Sequence, residues 1–219
     1  MTVEKITAHI DKTKADIARF IHIYKTEDCA GDYYNWNYKD AIAHILEWII
    51  FSKNKLYAIA HKQPFQEVKD VETFNKHNYK KNKEKHIDEL QSGIMRELDA
   101  YKEVVLLYSE ADLQRKDLPT GFSFELWRYM IMDTVTHPVM HLLYHSLKTK
   151  KYELFCRLCE HHNEIFYRYA DGRSDVYLFD DYIENRNEFI TAIKELGLQY
   201  RTNKLIRSIL KANKIEEND

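Results

Sequence analysis

Three histidines recur at steps of four, His137, His141 and His145, in the stretch SFELWRYMIMDTVTHPVMHLLYHSLK that spans residues 123–148. A helix advances about 3.6 residues per turn, so side chains at that step stack on one face with their tips near a common point. Neutral imidazoles on successive turns can share one divalent ion if a third ligand arrives from another segment, and an open coordination position then makes the ion reactive. With eleven histidines in 219 residues, the same spacing also arises where histidines line a polar seam. Pro138 sits inside this pattern. It has no N–H and its ring crowds the carbonyl of Thr134, which predicts a kink at His137; a kink that swung His137 aside would leave His141 and His145 as the pair.

The elements that must position these residues follow from composition and periodicity. Five Gly and three Pro over 219 residues, set among many Lys and Glu, leave few breakers and argue for long helices, so the fold class is all-α. A first helix is expected from Val3 to about Lys25, on the stripe Ile6, Ile10, Ile17, Phe20, Ile21 and Tyr24. A second starts near Asn37, an acceptable N-cap, and runs toward the stop at Pro64 with Ala41, Ile45, Trp48, Ile49, Leu56 and Ile59 inward. His44 lies on the margin of that face. A third helical region breaks near residues 83–85 and continues as an arm built on Ile87, Leu90, Ile94, Leu98, Tyr101, Val104 and Val105. The charge run KKNKEKH within it reads as a solvated face, with a polyanion patch as the alternative. The connection at residues 109–121 feeds the histidine helix, where Ser123 and Glu125 form an imperfect capping pattern. Further helices are expected after Lys151, from about Asp180 to Leu196, and over the basic stretch RTNKLIRSILKANK.

A formal net charge of −2 offers no positive field for nucleic acid and no polybasic arm for a membrane, so neither is an expected partner. No signal peptide and no apolar run near 18 residues is visible, and the three cysteines, Cys29, Cys156 and Cys159, do not form a secreted disulfide framework, so a cytoplasmic location is expected. The cluster Cys156, Cys159, His161 and His162 contains zinc-ligand types. On a continuous helix Cys159 and His161 point to different sides, and the cysteines read better as small buried residues, a redox pair being the alternative.

A histidine in the second main helix and a His-x-x-x-His pair in the fourth, with the lead-in NWNYKD, the core AHILEW and the segment FNKHNY, resemble the DinB-like superfamily, ClbS/DfsB branch. The similarity covers roughly residues 3–148. It implies an up-down-down-up four-helix bundle over residues 1–150, with 151–219 as a helical extension packed on it, and one divalent metal, zinc or nickel, between helices two and four. Carried over by position, the implied ligands are His44, His137 and His141. Glu47, one turn beyond His44, would accept a proton or add a ligand, or is a solvated carboxylate. Asp40 and Asp133, each four residues before a ligand, are placed to orient imidazoles. Tyr129, Tyr144 and Trp48 read as core or cavity-wall aromatics. The resemblance implies a metal-dependent hydrolase or a thiol-dependent transferase acting on a small reactive compound, in detoxification or stress resistance. A non-catalytic sequestering protein is the alternative, and a homodimer suits either.

Overall fold

A computed structural model describes residues 1–27 and 32–168. The expected helices over 180–196 and at the basic C-terminal stretch lie outside the described residues, as does Cys29. The described chain is mostly helical, with one isolated bridge pairing Asp32 and Asn35. It divides into two compact units, residues 1–138 and 139–219.

In the first unit, α1 (Val3–Tyr24) begins where the Thr2 hydroxyl accepts from the Lys5 N–H, and its buried face is the apolar stripe its periodicity predicts. Asn37 starts α2 (Tyr38–Ala60) with a reciprocal capping box: its side chain accepts from the Asp40 N–H while the Asp40 carboxylate accepts from the Asn37 N–H. The helix ends before Pro64, with Lys62 in a left-handed conformation at φ 54°. The expected break in the third region appears between α3 (Val71–Asn82) and α4 (Ile87–Val105). Lys39 closes the break from α2, donating its ammonium to the carbonyls of Lys83 and Lys85.

The core lies where α4 packs on both α1 and α2. Leu90, Ile94, Leu98 and Tyr101 of α4 are fully buried, as are Ile10 and Ile17 of α1 and Ile45 and Ile49 of α2. Each such aliphatic side chain contributes about 1.5–3 kcal/mol on burial. Gly93 lets α4 approach α2, because a Cβ there would stand 3.2 Å from Leu46 Cδ2. At the rim, Lys14–Asp99 and Lys102–Asp11 tie α1 to α4, exposed pairs that fix register more than they stabilise.

The connection after α4 holds the short α5 (Glu110–Leu113), capped by Ser109 and Asp112. The histidine stretch begins later than expected, at Leu126, and Ser123 takes no part in capping; Glu125 is the N-cap and makes no side-chain capping bond. It is also not a uniform α-helix. After α6 (Leu126–Ile131) come a π-helical turn over Met132–Thr136 and then α7 (His137–Lys148). The π turn packs on α1 and α2. The predicted disturbance around Pro138 is therefore absorbed just upstream: the His137 N–H reaches back five residues to the Met132 carbonyl. Thr134 and Thr136 add hydroxyl donors to the carbonyls of Met130 and Met132 in the widened turn. In the second unit, α8 (Tyr152–Arg168) follows and buries Leu154, Phe155, Leu158 and Cys159. No helix among the described residues is long and apolar enough to cross a membrane.

Candidate metal centre

The capping box at Asn37 sets where α2 starts and so where His44, two turns on, projects. His137 comes from the first residue of α7, directly after the π turn. Their Nε2 atoms face each other at 3.1 Å, with ring centroids 5.1 Å apart and planes at 68°. The pair bridges residues 93 positions apart, and the π turn brings His137 to His44 instead of swinging it away. His141 stands one turn after His137 on the same unbroken helix, so both ride one face of α7. His145 follows a turn later and is buried.

Aromatic rings wall the pair. Trp36 lies 4.7 Å from the His44 ring, and Trp48 stands edge-on to both imidazoles at 6.3 Å. The Trp48 indole N–H donates to Asn75 Oδ1, which holds the ring in place, and Phe74 packs against it at 4.9 Å. Removal from water disfavours the charged imidazolium. Burial, then the neighbouring His137, pushes the His44 pKa well below its ordinary value, and burial alone pushes His137 down to about 4. His145 is also lowered to about 4, by burial and then by the charge of Lys148. At neutral pH the facing rings are uncharged, the form that donates a nitrogen lone pair.

The carboxylates flanking the histidines are occupied elsewhere. Glu47 is buried, and its oxygens accept from the Lys81 ammonium at 2.9 Å and from Asn82 Nδ2 at 2.8 Å. Asn82 is thus the buried member of the KKNKEKH run, while Lys81 stays about half exposed at its edge. Asp40 serves the capping box, and burial raises its pKa.

Asp133 belongs to a different cluster. It is buried on the π turn, and the hydroxyls of Ser52 and Tyr129 donate to its carboxylate. Ser52 Oγ also lies 2.9 Å from the Tyr101 hydroxyl. Burial pushes the Asp133 pKa up to about 7, against the lowering by those hydroxyls and by the charge of Lys55. Ser52 and Tyr101 are polar partners that periodicity could not reveal, because a serine on a buried helix face carries no signal of what it meets; Tyr129, four residues before Asp133, stands at helical spacing. Tyr129 is buried, as expected of a core aromatic, and Trp48 is a wall of the histidine pair.

Cys159 is buried and Cys156 half-buried, both free, and burial is the leading cause that raises each thiol. No group of three or more clustered ligand atoms among the described residues includes a cysteine. The His161 and His162 rings are 5.2 Å apart.

The paired imidazoles fit a divalent ion by two criteria. Nitrogens bound to a tetrahedral zinc at roughly 2.05 Å stand roughly 3.3 Å apart, close to the separation of the two Nε2 atoms. The donors are soft enough for zinc or nickel and are held neutral by their surroundings. The same separation also suits an N–H···N hydrogen bond between one ring and the other, the proton position following from the tautomer. No family model, no curated protein and no solved structure matches the chain.

Proposed function

We propose that the chain is a DinB-like protein of the ClbS/DfsB type in which His44, His137 and His141 hold one divalent ion, zinc or nickel. In this reading it is a metal-dependent hydrolase or thiol-dependent transferase acting on a small reactive compound, a detoxifying or stress-resistance activity. The observation that carries the reading is the pair of neutral Nε2 atoms from two distant helices meeting at 3.1 Å, with a third imidazole one turn along the second helix. A bound zinc or nickel would supply a Lewis acid and an activated water or thiolate at neutral pH.

The chain's own residues do the rest. His44 and His137 present lone pairs because burial keeps protons off them. Trp36 and Trp48 limit water around the rings and offer a flat apolar surface to a substrate. Glu47, through Lys81 and Asn82, holds α3 against α2 and so keeps the wall carrying Phe74 beside Trp48.

A second reading rests on the same wall: the tryptophans and imidazoles form a polar-tipped aromatic surface that can retain a small compound without turning it over. Thermal unfolding of metal-stripped protein with added zinc or nickel tests the first reading. Stabilisation is expected for the native chain and is absent in His44→Ala and His141→Ala. An equal shift in all three proteins contradicts it. Once a reactive compound is found to be consumed or bound, His141→Ala separates the two readings: an enzyme loses turnover while remaining folded, whereas a sequestering protein keeps most of its affinity.

A further inference from the structure

The far end of α2 holds a cleft that the histidine site does not use. Its volume is about 500 Å³, within the range of small-molecule sites. The walls are mainly apolar, from Ile59, Phe65, Leu107, Tyr108, Leu118 and Pro119. Leu107 is half exposed there.

Among the charged groups of the lining Lys55 is buried, with a side chain only 4% exposed. Its ammonium donates to the Thr120 carbonyl at 2.8 Å and to Glu67 Oε2 at 2.7 Å, and lies 5.8 Å from the centroid of the Tyr129 ring. Gly121, at φ 85°, supplies the left-handed backbone with which this loop turns beside the ammonium. A buried ammonium needs an anion, because an unpaired charge in such a place is costly. Its ion-pair partner reaches in from solvent: Glu67 sits on the α2–α3 connection with a side chain 54% exposed, so another carboxylate can take its place on the ammonium while Glu67 returns to water, and the charge of Lys55 is also felt at Asp133. Arg115 is already paired with Asp112 and Asp117, and Lys62 adds positive charge to the lining.

We propose that this cleft is a second small-molecule site, taking a monocarboxylate with an apolar body whose carboxylate replaces Glu67 on Lys55. The apolar body lies against Phe65, Leu107 and Leu118, and Glu67 is the chain's own competitor for the ammonium. The class is a carboxylate because the group displaced is one, on the same donor.

Calorimetric titration with 3-phenylpropionate and with its neutral amide tests this, run with a chelator present and repeated on His137→Ala, so that failure of the metal reading leaves the result intact. The native chain binds the acid, and the amide at least about ten-fold more weakly. Glu67→Gln removes the competitor and binds the acid at least about five-fold more tightly, while Lys55→Met loses at least about ten-fold. Because Lys55→Met removes a buried group, its fold is checked by circular dichroism; should it unfold, Glu67→Gln and the acid–amide comparison decide. No binding of the acid, equal binding of acid and amide, or unchanged or weaker binding by Glu67→Gln overturns the proposal.

Discussion

Two polar clusters, one half-buried around His137 and one buried around Asp133, sit a turn apart on the stretch that runs from α6 through the π turn into α7, and loss of water drives them in opposite directions. At His137, loss of water removes the proton and leaves a lone pair facing His44. At Asp133, the same loss of water retains the proton, pushing the carboxyl to about 7 among Ser52, Tyr129 and Tyr101. One physical cause thus makes one cluster a donor set for a cation and the other a poor one. The imidazoles are the side chains whose neutral form can coordinate a cation; the carboxyl group that precedes His137 by four residues is directed to hydroxyls instead.

The largest expected effect breaks the comparison at the metal. Apparent zinc binding free energies of about 10–16 kcal/mol shared among some four ligands come to about 2.5–4 kcal/mol each, a loss of about a hundred-fold or more for His137→Ala. Asp133→Asn is expected to stay within about three-fold of the native affinity. Competition against a chromogenic chelator measures both, and an equal loss in the two variants would mean that Asp133 belongs to the ion's surroundings after all.

The carboxyl of Asp133 is raised in the fold, so the unfolded chain gives up that proton first as pH rises. The fold is penalised from about pH 4 upward, fully above about pH 7, by an amount on the order of 4 kcal/mol. Asp133→Asn should therefore stabilise the metal-free chain most above pH 7 and least near pH 4, as urea unfolding across that range would show.

His137 has the opposite sign. Its folded pKa is depressed to about 4, so its contribution is present above the unfolded value near 6.5 and is lost as pH falls toward 4, by on the order of 3 kcal/mol. His137→Asn should be less acid-sensitive than the native chain over that window. A slope unchanged by either substitution would remove the contrast between the clusters.

The smallest effect tests what both share. Asn37 starts the helix that carries His44 and Ser52. Asn37→Ala is expected to cost about 1 kcal/mol, with little pH dependence, by denaturant unfolding.

Much of the helical framework was legible because its signals are local. The apolar stripe of α1, the Asn37 cap and the break before α4 each depend on residues within a turn or two. His44 and His137 were legible as candidates through their types and helical positions. Their meeting at 3.1 Å is a tertiary fact that spacing alone does not contain. Pro138 signalled a disturbance, but not that a π turn upstream would absorb it, since that choice depends on packing against α1 and α2. Glu47 and the Ser52 side of the Asp133 cluster were illegible for a different reason: Asn82 and Ser52 lie 35 and 81 residues from the carboxyl groups they meet, and nothing nearby along the chain names a donor that comes from across the fold, whereas Tyr129 stands only four residues before Asp133.

The central claim is that imidazoles from α2 and α7 hold an ion. Elemental analysis of full-length protein, produced without a tag that binds nickel and purified without a nickel column, tests it most directly. The account predicts about one zinc or nickel per chain, falling to background in His44→Ala with the fold retained. A native content under about 0.2 metal per chain, unraised by dialysis against zinc or nickel, would contradict it.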